Sequence, residues 1–449
     1  MTLGTRRFLY ITAMVLFTVS APLLVLYTAG FRFDFYRNAI RSTGSLFIKT
    51  LPQDASVYIN NNLVDTNTPL RLNHLTPNVY TVRIEKEGYH TWKKDLAVSD
   101  KKTTFAENII LWKTQPEGTE LLDASVDFFS FDHDERYIIY IEEKTLKAYH
   151  LASEIEVTLL QTIETDTVNI KWSEHGSDAL ITIGSTTWLF DHDTLELTNL
   201  SNNISGDDIR FHPTQNQLLT FNNQRGIYTY SLVTGKTESL LMRPVLDYSI
   251  VEEDVYYITG PDPTILTRKQ RDIDEEPPSF VLPEISTLSL ERIIDHRAYV
   301  YDENERTLYI LHLQPESFNQ QSHILQDVDQ WEFTKDGTKL LLFNEWEVSF
   351  ITLDDMKTKV ITRVSTPLEH VYWHADDNYI ITVAEAAVTA IELDTRDIQN
   401  KHALWQNTEV IQATLSTDGE HIYLTTKEGD AHLLRKLKVT DLETSLLPL

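Results

Sequence analysis

Residues 333–343 read FTKDGTKLLLF and residues 415–425 read LSTDGEHIYLT. Each stretch places an apolar position, a polar turn and a second, longer apolar run in the same order. Asp-Gly stands at both turns, where Gly takes the positive φ that a tight hairpin needs and Asp tolerates it. Each stretch therefore predicts two antiparallel strands joined by a short turn.

This hairpin pattern comes round eight times, with degenerate versions at residues 248–259 and 292–304. Its bulky apolar anchors are spaced by 41, 39, 40, 43, 39, 40 and 42 residues: Phe131, Trp172, Phe211, Val251, Ile294, Phe333, Trp373 and Leu415. A third apolar strand and a weaker fourth follow each pair. A period of roughly 40 to 45 residues with four short strands is typical of a β-propeller. We therefore predict an all-β chain with eight blades, or seven if one degenerate unit is not a blade.

The last repeat contains only three clear strands, so another segment has to complete its blade. Residues 120–123 precede the first full repeat, and we interpret them as the outer strand of the final blade. Residues 445–449 are the competing candidate, and the sequence does not decide between the two. Either choice would close the ring and remove its exposed edges.

Composition excludes several classes of function. The chain has 449 residues, 41% of them apolar, and no cysteine, so disulfides and thiolate chemistry are ruled out. Its formal net charge is −28. The first 41 residues oppose this trend, with five arginines against one aspartate. The part of the chain after residue 41 is therefore strongly acidic. Such a surface repels phosphate backbones, which argues against nucleic-acid binding.

Residues 8–31 contain no charged side chain. As a helix they would span about 36 Å, more than a hydrocarbon core of roughly 30 Å. We interpret them as a single-pass anchor, since a cleaved signal peptide usually has a shorter apolar region. Arginines lie on both sides of the segment, so the positive-inside signal is nearly balanced. We expect the N-terminus inside and the bulk of the chain outside the membrane.

Residues 43–113 alternate apolar and polar positions in short runs, which predicts a small antiparallel β unit. Its sequence resembles the PEGA domain, whose Pro-Glu-Gly-Ala signature stands here as PQDA at residues 52–55. The resemblance continues through Thr68-Pro69, LTPNVY at residues 75–80 and Glu87-Gly88-Tyr89. It implies a β-sandwich that acts as a spacer or wall-proximal module without catalytic residues. An anchor, a PEGA-like module and a WD40/TolB-like propeller in this order also resemble bacterial envelope proteins.

The expected domains are an anchor and juxtamembrane segment at 1–41, the PEGA-like sandwich at 42–113 and the propeller at 114–449. No phosphate loop, nucleophile elbow or metalloprotease motif is present, so we predict no enzyme, cofactor or metal. Trp172, Trp331 and Trp373 lie on or beside innermost strands, where they pack between blades or, if exposed, stack on sugars.

Residues 269–286 lengthen the fourth repeat with charge and proline, which predicts a protruding loop. Its acidic side chains are the other candidate binding residues: Asp274, Glu275 and Glu276. We expect a protein-binding scaffold whose partner is an envelope or surface protein. A cell-wall or glycan-binding adhesin is the alternative, and a propeller enzyme is less favoured. The sequence does not predict the oligomeric state.

Overall fold

The computed structural model describes residues 3–28, 31–34, 39–163, 167–252, 254–260, 265–269, 279–282, 288–313 and 322–442. Helix α1 spans Leu3–Thr28 and contains Pro22. Its stretch Thr5–Val25 has a mean hydropathy of 2.1, and none of it is buried inside the protein. The helix is therefore long and apolar enough to cross a membrane. A two-stranded hairpin follows, made of β1 (Phe31–Asp34) and β2 (Ala39–Ser42).

The next seven strands form a small β-sandwich of two sheets, which we call the module. Strand order is β6-β3-β9 in one sheet and β5-β4-β7-β8 in the other. Alternating apolar side chains from both sheets fill the core between them, as the sequence pattern predicts. The bounds are β3 Gly44–Leu51, β4 Ser56–Ile59, β5 Asn62–Asp65, β6 Leu70–Leu75, β7 Asn78–Glu85, β8 Trp92–Val98 and β9 Thr103–Ile110.

The pairing of β3 with β9 is parallel, which corrects the expectation of a wholly antiparallel unit. Because the first and last strands run side by side in one direction, the chain enters the module at Gly44 and leaves it near Ile110, at the opposite end. Eight extended residues separate these ends by about 26 Å. The module therefore holds whatever follows Ile110 at a fixed distance from whatever precedes Gly44.

Residues 117–438 contribute eight four-stranded antiparallel sheets, numbered here 1 to 8 in chain order. Sheets 1 to 4 consist of consecutive strands, and the strand β10 that precedes them belongs to sheet 8. The bounds are β10 Glu117–Ser125; β11 Phe128–Phe131, β12 Tyr137–Glu142, β13 Thr145–His150, β14 Ile155–Leu160; β15 Val168–Trp172, β16 Ala179–Ile183, β17 Thr186–Asp191, β18 Glu196–Asn199; β19 Asp207–His212, β20 Gln215–Asn223, β21 Gly226–Ser231, β22 Thr237–Leu241; β23 Asp247–Val251, β24 Asp254–Thr259, β25 Ile265–Lys269 and β26 Ser279–Val281.

Sheets 5 to 7 repeat this order, and sheet 8 has three consecutive strands. The bounds are β27 Leu288–Ile294, β28 Arg297–Asp302, β29 Thr307–His312, β30 Ser322–Leu325; β31 Gln330–Phe333, β32 Lys339–Phe343, β33 Glu347–Thr352, β34 Lys357–Arg363; β35 Leu368–Trp373, β36 Tyr379–Ala384, β37 Ala387–Glu392, β38 Lys401–Gln406; β39 Val410–Leu415, β40 His421–Glu428 and β41 Ala431–Lys438. The repeats read from the sequence therefore correspond to sheets, including the two degenerate units, which supply β23–β24 and β27–β28.

Side chains link the first strand of each sheet to the first strand of the next. Gln412 extends this series from sheet 8 back to sheet 1, because its amide donates to the Phe129 carbonyl at 2.8 Å and accepts from the Phe129 amide at 3.1 Å. The other links are Trp172 to Ser130 (2.9 Å), Lys171 to Asp208 (3.7 Å), Arg210 to the Tyr248 carbonyl (2.6 Å), the Leu290 amide to Asp247 (2.5 Å), Arg292 over the Phe333 ring (5.4 Å), Trp373 to the Glu332 carbonyl (2.9 Å) and Tyr372 to the Ala413 carbonyl (2.6 Å).

Strand β10 completes sheet 8 by pairing antiparallel with β41, from Glu117↔Lys438 to Ser125↔Leu433. This confirms that residues 120–123 lie in the outer strand of the last sheet; the competing segment 445–449 lies outside the described residues. The prediction of a loop throughout 269–286 is wrong for Ser279–Val281, which pairs with β25 as a short outer strand. That strand needs only three residues beyond the two prolines at 277 and 278, so the prolines do not prevent it.

Candidate interaction surfaces

The module docks on sheets 7 and 8 around a buried lysine. Burial alternates along β8, so Lys94 points to the same side as Trp92 and Leu96 and is 0% exposed. Its Nζ lies 2.8 Å from the Glu392 carboxylate and 3.4 Å from that of Asp394, and it donates to the Asp394 carbonyl at 2.7 Å. Glu392 is 3% exposed. Two oppositely charged side chains from different domains are thus fully desolvated against each other.

Hydrogen bonds surround this ion pair and satisfy its remaining atoms. The Trp92 indole donates to Glu392 at 3.0 Å, and the Arg396 guanidinium donates to the Phe105 carbonyl at 2.6 Å. Burial alone would raise the pKa of Asp394, but hydrogen bonds from Arg396 and the charge of Lys94 lower it to about 2. The Asp394 carboxylate therefore stays ionised over the whole physiological range.

A second group of contacts joins the end of β9 to sheets 7 and 8. Trp112 is 0% exposed and packs edge-on against Tyr379 at 5.5 Å. The His90 ring stacks on the His402 ring at 5.0 Å. Asp441 accepts a hydrogen bond from Tyr89 and lies 3.2 Å from the Lys113 ammonium. The end of the module therefore shares one hydrophobic core with the two sheets.

The opposite ends of the sheets are free of the module. The module packs on sheet ends that carry the turns between first and second strands, such as residues 374–378. The turn between second and third strands lies at the other end, and in sheet 6 this turn holds Trp346, which is 48% exposed. Asn344 fixes the turn, since its Oδ1 accepts from the amides of Trp346 and Glu347 at 2.8 Å.

Trp346 lines a cleft of about 570 Å³ between sheets 5 and 6, which we call the Trp346 cleft. Ile324 lies in its wall and is 55% exposed. Arg363 also lines the cleft and donates to Glu347 at 2.6 Å. Exposed tryptophan, an aliphatic neighbour and a fixed arginine are the side chains that dominate binding energy at protein interfaces.

The tryptophans singled out from the sequence do not share a site. Trp373 is 6% exposed and donates to the Glu332 carbonyl at 2.9 Å. Trp331 leans on Tyr301 at 4.5 Å, and Trp172 is half-buried between sheets 1 and 2. All three fill space between neighbouring sheets, so none offers a fully exposed ring for stacking. The acidic residues Asp274, Glu275 and Glu276 lie outside the described residues.

Sequence reasoning missed both Lys94 and Trp346. The first has a signal in the sequence, because a lysine at an inward position of a strand between Trp92 and Leu96 is costly without a buried partner. The second stands in the acidic turn NEWE, where a large apolar side chain has no local core to join. A search restricted to strand positions overlooks such a residue.

Glu332 is the most perturbed carboxyl on a first strand. Its Oε2 accepts from the Trp373 amide at 3.0 Å, and burial raises its pKa to about 7. The acceptor role favours the ionised form, while desolvation by the surrounding strands favours the neutral one. No second acid, base or nucleophile in the described part of the chain is hydrogen-bonded to this carboxylate, so the geometry gives it no catalytic partner.

One group of side chains among the described residues has metal-ligand spacing. The ligand atoms of Asp418, Glu420 and His421 lie within 4.8 Å of one another. Asp418 already accepts from Ser416 and from the Glu420 amide, at 2.5 and 2.8 Å, as a turn-forming aspartate does. The group is therefore explained by the turn between β39 and β40.

The comparisons with known proteins agree with this architecture. Residues 43–113 match the PEGA domain. A chain from the crystal structure of the eukaryotic initiation factor is similar at a TM-score of 0.50 and 8% identity, covering 73% of this chain and 88% of that one. A chain from the crystal structure of the mitotic checkpoint complex is similar at a TM-score of 0.40 and 12% identity, covering 74% and 93%. At these identities the comparisons show the fold alone, and the first of the two structures, at a TM-score of 0.50, supports a WD40-type propeller fold. The comparison with curated sequences finds no match.

Proposed function

We propose that this protein is a membrane-anchored, non-catalytic scaffold that presents the Trp346 cleft to a protein partner. In this proposal the eight sheets are the blades of a closed eight-bladed propeller. The observation that carries the proposal is that the two ends of the sheets differ. One end packs against the module through Lys94, and the other end exposes Trp346. Since the module follows α1 after a short hairpin, the end packed against the module faces the membrane and the cleft faces away from it.

The chemistry of the cleft favours a protein over a small molecule. Its walls combine exposed Trp346 and Ile324 with Arg363 and Glu347 at the rim, a mixture typical of interface centres. The partner we propose is an envelope or surface protein of a bacterium, with the propeller on the extracytoplasmic side. A glycan ligand is the second candidate, because the half-exposed Trp346 indole provides one stacking surface.

The test is a photocrosslinking amino acid placed at Trp346 in the full-length protein, expressed in its native host. Ile155 on the outer strand of sheet 1 is 50% exposed and serves as the matched control position. We expect a discrete protein adduct from position 346 that is absent from position 155. Identical adducts at both positions would contradict the proposal, and an adduct containing only polysaccharide would favour the glycan alternative.

The anchor is tested separately. Intact-mass measurement of the protein extracted from membranes should show that α1 is retained, as expected for an anchor and not for a cleaved signal peptide. Protease added to intact spheroplasts should digest the propeller if it lies outside the cytoplasm. Protection of the propeller from protease would reverse the proposed orientation.

A further inference from the structure

Three buried hydrogen-bond donors cluster between sheets 5 and 6 without an acceptor. They are the Arg297 Nε, the Tyr299 hydroxyl and the His312 Nε2, and in the part of the chain that is described none of them donates to an acceptor. The Tyr299 oxygen is close enough to the Arg297 guanidinium to accept from it, which leaves the hydroxyl proton itself without an acceptor. Tyr299 is 0% exposed. Buried polar atoms are almost always paired, so three such atoms in one place require an explanation.

Strand register brings these groups onto one face of sheet 5. Arg297 and Tyr299 are two residues apart on β28, and His312 on β29 is the direct partner of Arg297. Arg292 on β27 is the direct partner of Tyr299. Side chains that are directly opposite one another share a face, so all four point towards sheet 6.

Sheet 6 covers this face with an aromatic ring and not with an acid. The Tyr299 ring meets the Phe333 ring edge-on at 4.9 Å, and the Arg292 guanidinium lies over the same ring at 5.4 Å. Among the described residues neither Arg292 nor Arg297 forms an ion pair, although the chain carries a formal charge of −28. Arg292 is thus held over an apolar ring, and neither arginine has a counterion among the described residues.

The electrostatics of the neighbouring groups agree with an uncompensated positive site. Burial lowers the pKa of His312, and the charges of Arg297 and His323 lower it further. Burial raises the pKa of Tyr299, and the Arg297 guanidinium opposes that rise. Asp295 is the one carboxylate whose charge acts on Tyr299, and its side chain is exposed.

We propose that Arg297, Tyr299 and His312 bind a small oxyanion, a phosphate or carboxylate group. The three donors can each give one hydrogen bond to such a group, and the planar guanidinium matches its geometry. An oxyanion would supply the missing acceptors and neutralise Arg297, with the exposed Arg292 at the entrance. The site is separate from the Trp346 cleft and independent of the proposed scaffold function.

The test is calorimetric titration of the full-length protein in detergent micelles with inorganic phosphate and, separately, with acetate. Sodium chloride at matched ionic strength is the baseline. We expect saturable binding of at least one oxyanion. Competition between the two then shows which class the site prefers. Tyr299→Phe removes one donor while keeping the ring against Phe333, and we expect roughly a tenfold loss of affinity, as for a hydrogen bond to a charged group.

Arg297→Gln should abolish measurable binding. Arg306→Gln is the matched control, since Arg306 lies on the same sheet but already pairs with Asp327 and Asp329 at 2.9 and 2.5 Å. Its affinity should equal that of the unchanged protein. The proposal is overturned if neither anion binds above the chloride baseline while circular dichroism shows a folded protein. It is equally overturned if Arg297→Gln binds as well as the unchanged protein.

Discussion

Lys94 and Arg297 are both cations at buried contacts between β-sheets, and they differ in what surrounds them. Lys94 reaches the Glu392 and Asp394 carboxylates, and every donor of its ammonium group has an acceptor nearby. Arg297 is partly exposed, and its neighbours on the same face of sheet 5 are the Tyr299 hydroxyl and the His312 ring. Lys94 is fully buried and finds its compensation within the chain, whereas Arg297 has no counterion among the described residues.

This difference separates a structural cation from a ligand-binding one. A cation whose counterion is internal fixes the relative position of two elements and is costly to remove. A cation without an internal counterion destabilises the empty protein and gains free energy when an anion arrives. The following substitutions and titrations measure the two cases, starting with the one of largest expected effect.

Lys94→Met should destabilise the protein by about 3–5 kcal/mol, because it removes the cation that pairs with the buried Glu392 side chain. Urea unfolding followed by tryptophan fluorescence measures this, since Trp92 and Trp112 both lie at the junction. The double variant Lys94→Met/Glu392→Met should recover most of the loss, as two apolar side chains of similar volume replace the pair. Lys357→Met, which removes an exposed lysine paired with Asp355, is the control and should change little. A single variant as stable as the unchanged protein would refute the structural role of Lys94.

Acidification should weaken the junction before its carboxylates are protonated. Burial and the neighbouring His90 lower the pKa of His402 to about 4 from 6.5. The folded state thus holds neutral histidine, and unfolding takes up a proton below pH 6.5. The contribution of His402 to stability should therefore be constant above that value and be lost as the pH drops from 6.5 towards 4, by up to about 1.4 kcal/mol per pH unit.

His370 on β35 contributes to the same decline, since burial lowers its pKa to about 4 as well. His402→Gln should therefore reduce the loss of stability on acidification, measured as melting temperature between pH 7.5 and 5, while Glu332, whose pKa burial raises to about 7, acts in the opposite direction in both proteins. Asp394 and Asp441 have pKa values lowered to about 2, so they add nothing to the slope above pH 5. An unchanged slope in His402→Gln would show that the histidine is already solvated.

Arg297→Gln should change the free energy of unfolding by less than about 1 kcal/mol in buffer without phosphate or carboxylates, since no internal ion pair is lost. Added phosphate should stabilise the unchanged protein but not this variant. Thermal unfolding of both, with and without phosphate, gives the answer. A loss as large as that expected for Lys94→Met would mean that Arg297 has an internal partner.

Trp346→Ala should have the smallest effect on stability, within about 0.5 kcal/mol, because about half of the side chain is already in water. Asn344 keeps its hydrogen bonds to the turn backbone in this variant. Photocrosslinking amino acids at positions next to residue 346 should nevertheless form no partner adduct in this variant. Strong destabilisation would assign Trp346 to the core and remove the argument for a binding cleft.

The repeat pattern predicts the architecture because each sheet is local in sequence. A hairpin such as residues 333–343 contains both strands and the turn between them. The pattern of apolar and polar residues and the Asp-Gly turn therefore suffice to predict where its strands lie. The sequence alone leaves residues 120–123 and 445–449 as alternatives for the strand that completes the last repeat, and the structure pairs β10 with β41. The parallel pairing of β3 with β9 could not be predicted from the sequence, because it joins segments 58 residues apart, as at Ser45 and Thr103, with no turn between them.

The interaction surfaces were mostly beyond the sequence. Lys94 and Glu392 are 298 residues apart, so only the folded chain shows that they pair. Size and a place on or beside an innermost strand single out three tryptophans in the sequence, Trp172, Trp331 and Trp373. In the folded protein, large side chains on first strands fill the space between neighbouring sheets. Trp346 lies in a turn, and Arg297 is the first residue of β28 in a degenerate repeat, so the apolar pattern of the repeat singles out neither.

The pairing of β10 with β41 has a consequence for how the chain is made. Residues 117–125 emerge from the ribosome more than three hundred residues before their partner strand at 431–438. If the protein is threaded through a membrane during synthesis, the module and sheets 1 to 7 are outside while β10 still has an open edge. Until β41 is made, β10 therefore has no partner strand, and the pairing of β41 with both β40 and β10 is the event that completes sheet 8.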